Sequence, residues 1–311
     1  MAKVFIAGAT GKQGSAAARA LLKSGHEVHA LVRDTESRSA QALKDQGAVL
    51  FKGNILDIES IKPAIAGTIA VFWPSIIFIP DLSDEVRANN NVVEAAKQSG
   101  TVQHLIFSTF AGIDKITQCP GWDRNAFYKL AVEQKLDGEE KVRRAGLKYY
   151  TLLRPAEFMS NYLLPSAKMQ FPDLISTGVL HTSWTSIFKN KFIDEDDIGR
   201  TVAAAVADPE RFNGKEVEIA ADRLSVQEAL DIIGAVAGKK LSLETQPYDE
   251  AMKVAEQNPV KQGEVIRVEV AKLREDYDTA ALDDFGLGFT SFKDFIEKNK
   301  AVVIETYKNV P

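Results

Sequence analysis

The stretch "YKLAVEQK", which begins at Tyr128, places one tyrosine and two lysines within a single predicted helix. A tyrosine four residues before a lysine shares its helix face, so the ammonium can lower the phenol pKa and make it a proton donor. Four residues before Lys135 stands Ala131, and the other lysine, Lys129, has no tyrosine at that distance either. Tyr128 precedes Lys135 by two helical turns, about 10 Å along the axis. We therefore expect Tyr128 to pack or to line a pocket entrance.

The composition is that of an ordinary globular protein. The chain has 311 residues, of which 45% are hydrophobic and 26% charged, and its formal net charge is −5. This length suits one large domain or two smaller ones. Proteins that grip a phosphate backbone carry a basic face, and no long lysine or arginine run occurs here. We therefore expect no direct nucleic-acid binding.

Two features bear on the compartment. A single cysteine, Cys119, rules out an internal disulfide and fits a reducing environment. The longest apolar stretch, at 68–80, is interrupted by two prolines and is too short to span a bilayer, so no membrane association is expected. These features predict a cytoplasmic protein, with a nuclear share left open.

Short apolar runs alternate with helical patterns through the first half of the chain. The runs typical of buried strands are "VFIAG", "EVHALVR", "AVLFKGN", "IAVFW", "VQHLIFST" and "KYYTLLRP". The helical patterns fall at about 13–24, 36–46, 57–67, 83–100 and 123–145. Ser83 is the expected N-cap of the fourth helix. Strands that alternate with crossover helices predict an α/β protein with a Rossmann-type, doubly wound parallel sheet.

The segment "GATGKQG" follows the first predicted strand and opens the first helix. Glycine at the first position permits a tight turn, at the second a close approach of pyrophosphate, and at the third close contact between helix and strand. The helix N-terminus adds free N–H groups and the positive end of the helix dipole. We therefore predict a dinucleotide site that includes Gly8, Thr10, Gly11, Lys12, Gln13 and Gly14.

The end of the second strand, "ALVRDTES", bears on which dinucleotide is bound. An NAD site commonly has a carboxylate here that binds both ribose hydroxyls. In this chain Arg33 comes first, followed by Asp34, with Arg38 a turn later. A guanidinium suits a 2′-phosphate, which a carboxylate would repel. We predict a preference for NADP(H); the alternative is that Arg33 is a solvated charge at a strand end.

Two further strand ends complete the predicted cofactor site. After the third strand, Asn54 and Ile55 lie where an adenine edge would rest, and Asp57 either joins them or caps the next helix. After the fourth strand, Pro74 and Ser75 lie beside the crevice that forms where the strand order reverses.

The second half of the chain has a different pattern. Residues 156–192 are irregular and rich in aromatic residues, and the remainder predicts a strand, a helix, another strand and two amphipathic helices, the last of them at the tail. We predict a dinucleotide-binding lobe over 1–155, to which later segments return, and a smaller α/β C-terminal lobe over 156–311. Five aromatic residues of this segment either line a ligand cleft or a partner surface, or pack between the lobes: Phe158, Tyr162, Phe171, Trp184 and Phe188.

Several of these segments together resemble the NmrA-like family, whose members are atypical relatives of the short-chain dehydrogenases/reductases. The resemblance rests on "GATGKQG", "ALVRDTES", "FIDEDDIGRTVAAAVADP" and "GLGFTSFKDFIEKN" and covers nearly the whole chain. "SNYLLP" after "LLRPAEFM" is similar to the family's segment after the sixth strand, and with it Pro155 and Phe158 join the expected cofactor-binding residues. The resemblance implies a Rossmann lobe, a smaller C-terminal lobe and NADP binding.

The resemblance also implies roles for single residues. Lys135 falls where the family's helix lysine usually lies, so we expect it to bind ribose hydroxyls; the alternative is a solvated helix lysine. Ser108, at the end of the fifth strand, matches the position of the reductases' catalytic serine, and without a tyrosine partner we expect it to cap the strand end or touch the nicotinamide. No catalytic residue is assigned, and Lys135, Tyr128 and Ser108 remain the candidates. The acidic run at 194–197 is interpreted as helix N-terminal charge rather than as a metal site.

The family includes redox-sensing regulators that bind dinucleotide without reductase activity, and also true reductases, so family alone does not decide function. Our first hypothesis is an NADP(H)-binding regulator that senses the cofactor and acts through a transcription factor or another regulatory protein. A small-molecule ligand in the cleft between the lobes is a further expectation. The second hypothesis is an NADPH-dependent reductase of quinones or of phenolic or carbonyl compounds, with Lys135, or else Tyr128, as proton donor.

Overall fold

The computed structural model describes residues 1–75, 81, 83–185, 187–274 and 282–311. They form two compact units whose segments interleave along the chain. The first unit consists of Met1–Phe110, Ala131–Pro155 and Glu195–Glu218, and the second of Ala111–Leu130, Ala156–Asp194 and Ile219–Pro311.

The division at residue 155 therefore misses one exchange, the segment Ala111–Leu130, which belongs to the second unit. Hydrogen bonds account for its place there. The Asn125 side-chain amide donates to the carbonyls of Ala255 and Glu256, both at 3.1 Å. The Gln262 side chain donates to the carbonyl of Gly121 at 2.8 Å. Contacts between residues more than a hundred positions apart leave no trace in the local sequence pattern.

Strands and helices alternate up to Pro155, with one short extra helix after the fifth strand. In chain order the elements are β1 (Lys3–Ile6), α1 (Lys12–Lys23), β2 (Glu27–Val32), α2 (Arg38–Asp45), β3 (Val49–Lys52), α3 (Ile58–Ile65), β4 (Ala70–Pro74), α4 (Asp84–Gln98), β5 (His104–Ser108), α5 (Ile113–Ile116), α6 (Ala126–Arg143) and β6 (Tyr149–Pro155). The predicted strands and helices of this half are all confirmed. Only α5 was not foreseen.

The second half is built of shorter elements. They are β7 (Glu157–Phe158), a 3₁₀ helix (Met159–Tyr162), α7 (Ala167–Gln170), α8 (Pro172–Thr177), β8 (Val179–Thr182), β9 (Lys189–Ile193), α9 (Glu195–Ala207), α10 (Pro209–Phe212), β10 (Lys215–Ile219), β11 (Asp222–Ser225), α11 (Val226–Ala237), β12 (Ser242–Thr245), α12 (Tyr248–Ala255), α13 (Pro259–Lys272), α14 (Phe292–Lys298) and α15 (Lys300–Tyr307). The prediction of one helix at the tail is wrong. The helix is interrupted at Asn299, whose side-chain amide donates a hydrogen bond to the carbonyl of Phe295.

The first unit is organised around a sheet that, among the described strands, has the order β10-β6-β5-β4-β1-β2-β3. The pairs β1–β2, β2–β3, β1–β4, β4–β5 and β5–β6 are all parallel. This confirms the doubly wound α/β fold. The chain leaves β1 for β2 and β3 on one side and then crosses to β4 on the other. The carboxyl ends of β1 and β4 therefore flank the switch point where open α/β sheets bind ligands.

Apolar packing fixes α4 and α6 against this sheet. Trp73 is buried in the core, and its indole N–H donates to the side-chain oxygen of Asn89 on α4 at 2.7 Å. A Cβ at Gly138 on α6 would lie 2.7 Å from the Phe107 ring and from the Asn89 amide. Because glycine allows this approach, α6 lies close to β5 and α4, and the residues one turn earlier on α6 are buried.

The second unit has its own core and two small sheets of described strands, β11-β9-β7 and β12-β8. Tyr162, Phe171 and Trp184 are buried in this core, and Phe188 packs against it. Tyr162 stacks on Phe171 with ring centroids 4.6 Å apart. Tyr162, Phe171 and Trp184 therefore pack within the second unit, which excludes them from an exposed partner surface. Across the described parts of the chain, no helix has both the length and the apolar character needed to cross a membrane.

Candidate functional site

The glycine turn joins the carboxyl end of β1 to the N-terminus of α1. Gly8 has a φ of +65°, a conformation that side-chain-bearing residues rarely adopt. A Cβ at Gly14 would lie 2.2 Å from the carbonyl oxygen of Gly8, so even alanine would clash with the backbone. At Gly11 the nearest atom, the same carbonyl oxygen, would be 3.3 Å away. The turn thus brings the start of α1 against the end of β1, and no side chain intervenes.

The N-terminus of α1 is suited to an anion. Gly11 is the N-cap residue and offers no side-chain acceptor, and the first turn contains no acidic residue. The N–H groups of this turn lack intrahelical acceptors, and the helix dipole adds positive potential. Lys12 lies at the same end and pairs with Glu195 at 3.4 Å. Free N–H groups at a helix N-terminus, beside a turn without side chains at Gly8 and Gly11, fit the pyrophosphate of a dinucleotide.

Gln13 links this turn to the ends of the central strands. The Ser108 hydroxyl, at the end of β5, donates to the Gln13 side-chain oxygen at 2.7 Å. The backbone N–H of Ser75 donates to the carbonyl of Ser108 at 2.8 Å. Ser108 is fully buried. The Ser108 hydroxyl is therefore directed at Gln13 and connects the end of β5 to the glycine turn.

Lys135 lies on the buried face of α6 and is 6% exposed. Its ammonium contacts both carboxylate oxygens of Glu85, at 2.8 and 3.0 Å. Glu85 is 0% exposed and also accepts a hydrogen bond from the Ser75 hydroxyl. Burial lowers the pKa of Lys135, and the charge and hydrogen bonds of Glu85 oppose that shift. The alternative of a solvated helix lysine is therefore wrong.

Sequence reasoning missed Glu85 altogether. It lies in the first turn of α4, the helix for which Ser83 was the expected cap. Ser83 does occupy the N-cap position, but its hydroxyl donates to Asp81 at 2.6 Å and caps no helix N–H. The only sequence signal for Glu85 was an acidic residue in a helical first turn, which is common and carries no information about its partner.

Glu139, one turn after Lys135, belongs to a separate buried network. It accepts two hydrogen bonds from Arg154 on β6, at 3.0 and 2.7 Å. The Thr109 hydroxyl donates to the same carboxylate at 2.8 Å, and Arg143 pairs with it at 3.0 Å. These contacts satisfy Glu139 without Lys135, so the two ion pairs on α6 are distinct.

Tyr128 has its surroundings in the second unit. Its backbone N–H donates to the Asn125 side chain at 2.9 Å, and its ring lies 3.3 Å from where a Cβ of Gly263 would be. Burial of the phenol raises the pKa of Tyr128 above its ordinary value. A raised pKa makes the phenol a weaker acid, as expected of a packing residue rather than a tuned proton donor.

Arg33 and Arg38 flank the end of β2, and both are exposed. Neither side chain has a hydrogen-bond or ion-pair partner among the residues that the structure describes. One carboxylate oxygen of Asp34 is used locally, because it accepts the backbone N–H of Glu36 at 2.9 Å. Two guanidinium groups are thus available to a phosphate at the end of β2. This is the position where NAD-binding proteins commonly have the carboxylate that binds the ribose hydroxyls.

The remaining predicted residues divide between the two units. In the first unit Asn54 is exposed and accepts the N–H of Leu56 at 3.1 Å, while Ile55 is buried. Asp57 caps α3 by accepting a hydrogen bond from the N–H of Glu59 at 3.0 Å, so the second of its two predicted roles, the helix cap, is the one found. The other positions are Pro74, which is buried at the end of β4, Pro155, buried at the end of β6, and Phe158, which lies half-buried on β7 of the second unit.

The acidic run that opens α9 is held by cations. Glu195 pairs with Lys12, Asp196 with Arg19 at 2.6 Å, and Asp197 with Arg200. In the described part of the chain, no group of three or more histidine, cysteine or acidic side chains is arranged to hold a metal ion. The run therefore serves the helix N-terminus and its packing.

Comparison with known proteins gives one family and several similar structures. The family model described as the NmrA-like family matches residues 1–305. The NmrA-like family domain-containing oxidoreductase himF of Aspergillus japonicus is 26% identical over 257 residues, covering 76% of this chain and 73% of its own.

Two solved structures have the same fold. The structure of NmrA, a negative transcriptional regulator in complex with NADP, matches with a TM-score of 0.74 at 17% identity over 99% of this chain and 97% of its own. The Citrobacter sp. triphenylmethane reductase complexed with NADP(H) matches with a TM-score of 0.71 at 20% identity over 95% of this chain and 99% of its own. At such identities the likeness establishes the fold alone.

Proposed function

The chain belongs to the NmrA-like family, and we propose that it binds NADP(H) and acts as a cofactor-sensing regulator through a protein partner, with little or no reductase activity. One observation carries the proposal: an intact glycine turn occurs together with a helix lysine that is paired with a carboxylate instead of a tyrosine. The turn supports cofactor binding, and the lysine's partner argues against the usual proton relay.

The glycine turn and the two free arginines support NADP(H). The first-turn N–H groups of α1 would hold the pyrophosphate, and Arg33 and Arg38 would hold the 2′-phosphate. Lys135 would bind a ribose hydroxyl. NmrA has been solved with NADP and also with NAD, so its structures do not decide between the two cofactors. The choice of NADP(H) for this chain rests on its arginines.

NADPH supplies a hydride, and reduction of a carbonyl also requires a proton donor. The alternative donor to Lys135, Tyr128, has a phenol pKa raised by burial, which makes it a weaker acid. The hydroxyl of Ser108 already donates to Gln13. These contacts support binding without efficient turnover.

A reductase is the second candidate function, and one observation favours it. Burial lowers the pKa of Lys135, which moves an ammonium toward the range in which it donates protons near neutral pH. The relative himF is also named an oxidoreductase. The substrates in this case would be quinones or phenolic or carbonyl compounds, with Lys135 as the acid.

A turnover assay separates the two functions. NADPH binding is measured by fluorescence, and its oxidation is then followed against a panel of quinones, aldehydes and enones. We expect saturable binding and no oxidation above the rate without protein. Oxidation that Lys135→Ala abolishes and Lys141→Ala leaves intact would establish the reductase instead; Lys141 is a matched control because it lies on the same helix and pairs with Asp137 at the surface.

The regulatory half of the proposal requires a partner. The protein is immobilised and used to capture binding proteins from extract of its source cells in the presence of NADP+, NADPH or neither. We expect a regulatory protein, such as a transcription factor, whose capture changes with the cofactor. Failure to retain any stable partner under all three conditions would count against the regulator.

A further inference from the structure

We propose that Glu85 is a positioning residue of the cofactor site, which fixes the charge and orientation of the Lys135 ammonium so that one N–H remains for a hydroxyl of the bound dinucleotide. The inference rests on the proposed NADP(H) binding and adds to it the residue that makes Lys135 fit for that role.

The geometry of the pair leaves one donor over. An ammonium has three N–H groups. Two of the N–H groups of Lys135 are used by the carboxylate oxygens of Glu85, at 2.8 and 3.0 Å. The structure gives this ammonium no other partner among the described residues. With two donors held by a fully buried carboxylate, the third has a fixed direction. A buried donor without an acceptor is costly unless a ligand supplies one.

A continuous chain of contacts joins the pair to the glycine turn. Glu85 accepts a hydrogen bond from the hydroxyl of Ser75, and the Ser75 backbone N–H donates to the carbonyl of Ser108 at 2.8 Å. The Ser108 hydroxyl then donates to Gln13 within the turn, at 2.7 Å. Glu85 is therefore tied through the ends of β4 and β5 to the segment that would hold the pyrophosphate. Such a connection places the lysine at a defined distance from the rest of the cofactor.

The charge of Glu85 is needed because Lys135 is buried. An unpaired ammonium in a dry site tends to lose its proton, and an adjacent carboxylate opposes that loss. From the end of β4, the neutral hydroxyl of Ser75 donates to Glu85. On α6 itself, Glu139 is occupied by Arg154. Glu85 is thus the charge acting on Lys135 among the described residues.

The test is the pH profile of NADPH affinity for Glu85→Gln. In the wild type, we expect Lys135 to contribute no pH dependence between pH 6.5 and 8.5, because Glu85 keeps it protonated. In Glu85→Gln only burial acts on Lys135, so its proton is lost as pH rises. The dissociation constant relative to wild type should therefore rise with pH, with a limiting slope of about tenfold per pH unit, as expected for the loss of a single proton.

Three variants complete the design. Glu94→Gln removes a surface carboxylate from the same helix and should match the wild type throughout. Glu85→Gln/Lys135→Met removes the titrating group and should bind weakly with the pH profile of the wild type. Glu85→Asp keeps the charge but is one methylene too short for both contacts, so its affinity should fall with no new pH dependence.

The outcomes separate this inference from the proposed function. If the wild type binds no NADPH, the proposed function fails before Glu85 is tested. If the wild type binds and Glu85→Gln shows the same affinity and the same pH profile, the role of Glu85 is overturned. Should Glu85→Gln not fold, Glu85→Asp decides: reduced affinity with a wild-type pH profile supports the inference, and wild-type affinity overturns it.

Discussion

Two parts of the proposed cofactor site, the glycine turn and the buried pocket around Lys135 and Glu85, are built in different ways. The turn is a backbone surface kept open by the absence of side chains, with Gly14 so close to Gly8 that a Cβ would lie 2.2 Å from its carbonyl oxygen. The pocket is a buried pair of opposite charges, Lys135 and Glu85, joined by two contacts. At Gly14 the turn has no space for an added atom, whereas the buried pair tolerates replacement only when both partners change together. Substitutions in the two places should therefore fail in different ways.

The largest effect on stability should come from breaking the buried pair. Lys135→Met leaves the Glu85 carboxylate buried without a cation, which we expect to lower the free energy of unfolding by about 3–5 kcal/mol. Glu85→Gln/Lys135→Met replaces both charges by neutral groups and should recover most of that loss. Urea unfolding of the three proteins measures this. A double variant no more stable than Lys135→Met would mean that the pair is not the relevant interaction.

A smaller loss is expected at the glycine turn, where no second substitution can compensate. Gly14→Ala forces a shift of backbone against backbone and should cost about 2 kcal/mol of unfolding free energy. Gly11→Ala, whose Cβ would lie 3.3 Å from the Gly8 carbonyl oxygen, makes a tight contact without overlap; it should cost less stability than Gly14→Ala and should lose NADPH affinity. Thermal melting and fluorescence titration of both variants provide the comparison. Equal stability of the two variants would contradict the close approach at Gly14.

A third buried site, His104, sharpens the contrast because no opposite charge acts on it among the described residues. Its Nε2 lies 2.8 Å from the Thr151 hydroxyl, and burial lowers the pKa of His104 to about 4. The unfolded chain, with a histidine pKa near 6.5, binds a proton first as pH falls, so folding weakens between about pH 6.5 and 4. At pH 5.5 this amounts to about 1.4 kcal/mol.

His104→Gln should remove that dependence. The difference in unfolding free energy between pH 7 and pH 5.5 is measured for both proteins, and the variant should lose about 1 kcal/mol less than the wild type. An identical pH dependence in the two proteins would show that His104 is not the group responsible. Lys135, whose charge is compensated, should give no comparable dependence in this range.

The same contrast explains what could be predicted from the sequence. The six strands and the glycine turn are local patterns, so "GATGKQG" and the apolar runs were enough to predict the fold and the phosphate end of the site. Glu85 is separated from Lys135 by 50 positions, and only the folded sheet brings them together. The spacing around Lys135 was enough to predict that no tyrosine stands four residues before it. It could not predict that Glu85 lies beside the lysine instead.

The second unit shows the limits of local pattern more strongly. Its aromatic residues have the composition of either a ligand surface or a core, and burial in the folded unit decides for Tyr162, Phe171 and Trp184. The segment Ala111–Leu130 belongs to this unit through contacts to residues more than a hundred positions away. Neither fact follows from hydrophobic periodicity, which reports on one element at a time.

Calorimetric titration of the wild type and of Arg33→Ala with NADPH and NADH tests the central claim most directly. The wild type should bind one NADPH per chain at least about tenfold more tightly than NADH, since a phosphate–guanidinium contact contributes on the order of 1.5–3 kcal/mol. Arg33→Ala should lose most of that preference and retain its affinity for NADH. Equal affinity of the wild type for the two cofactors, or no binding of either, would contradict the account.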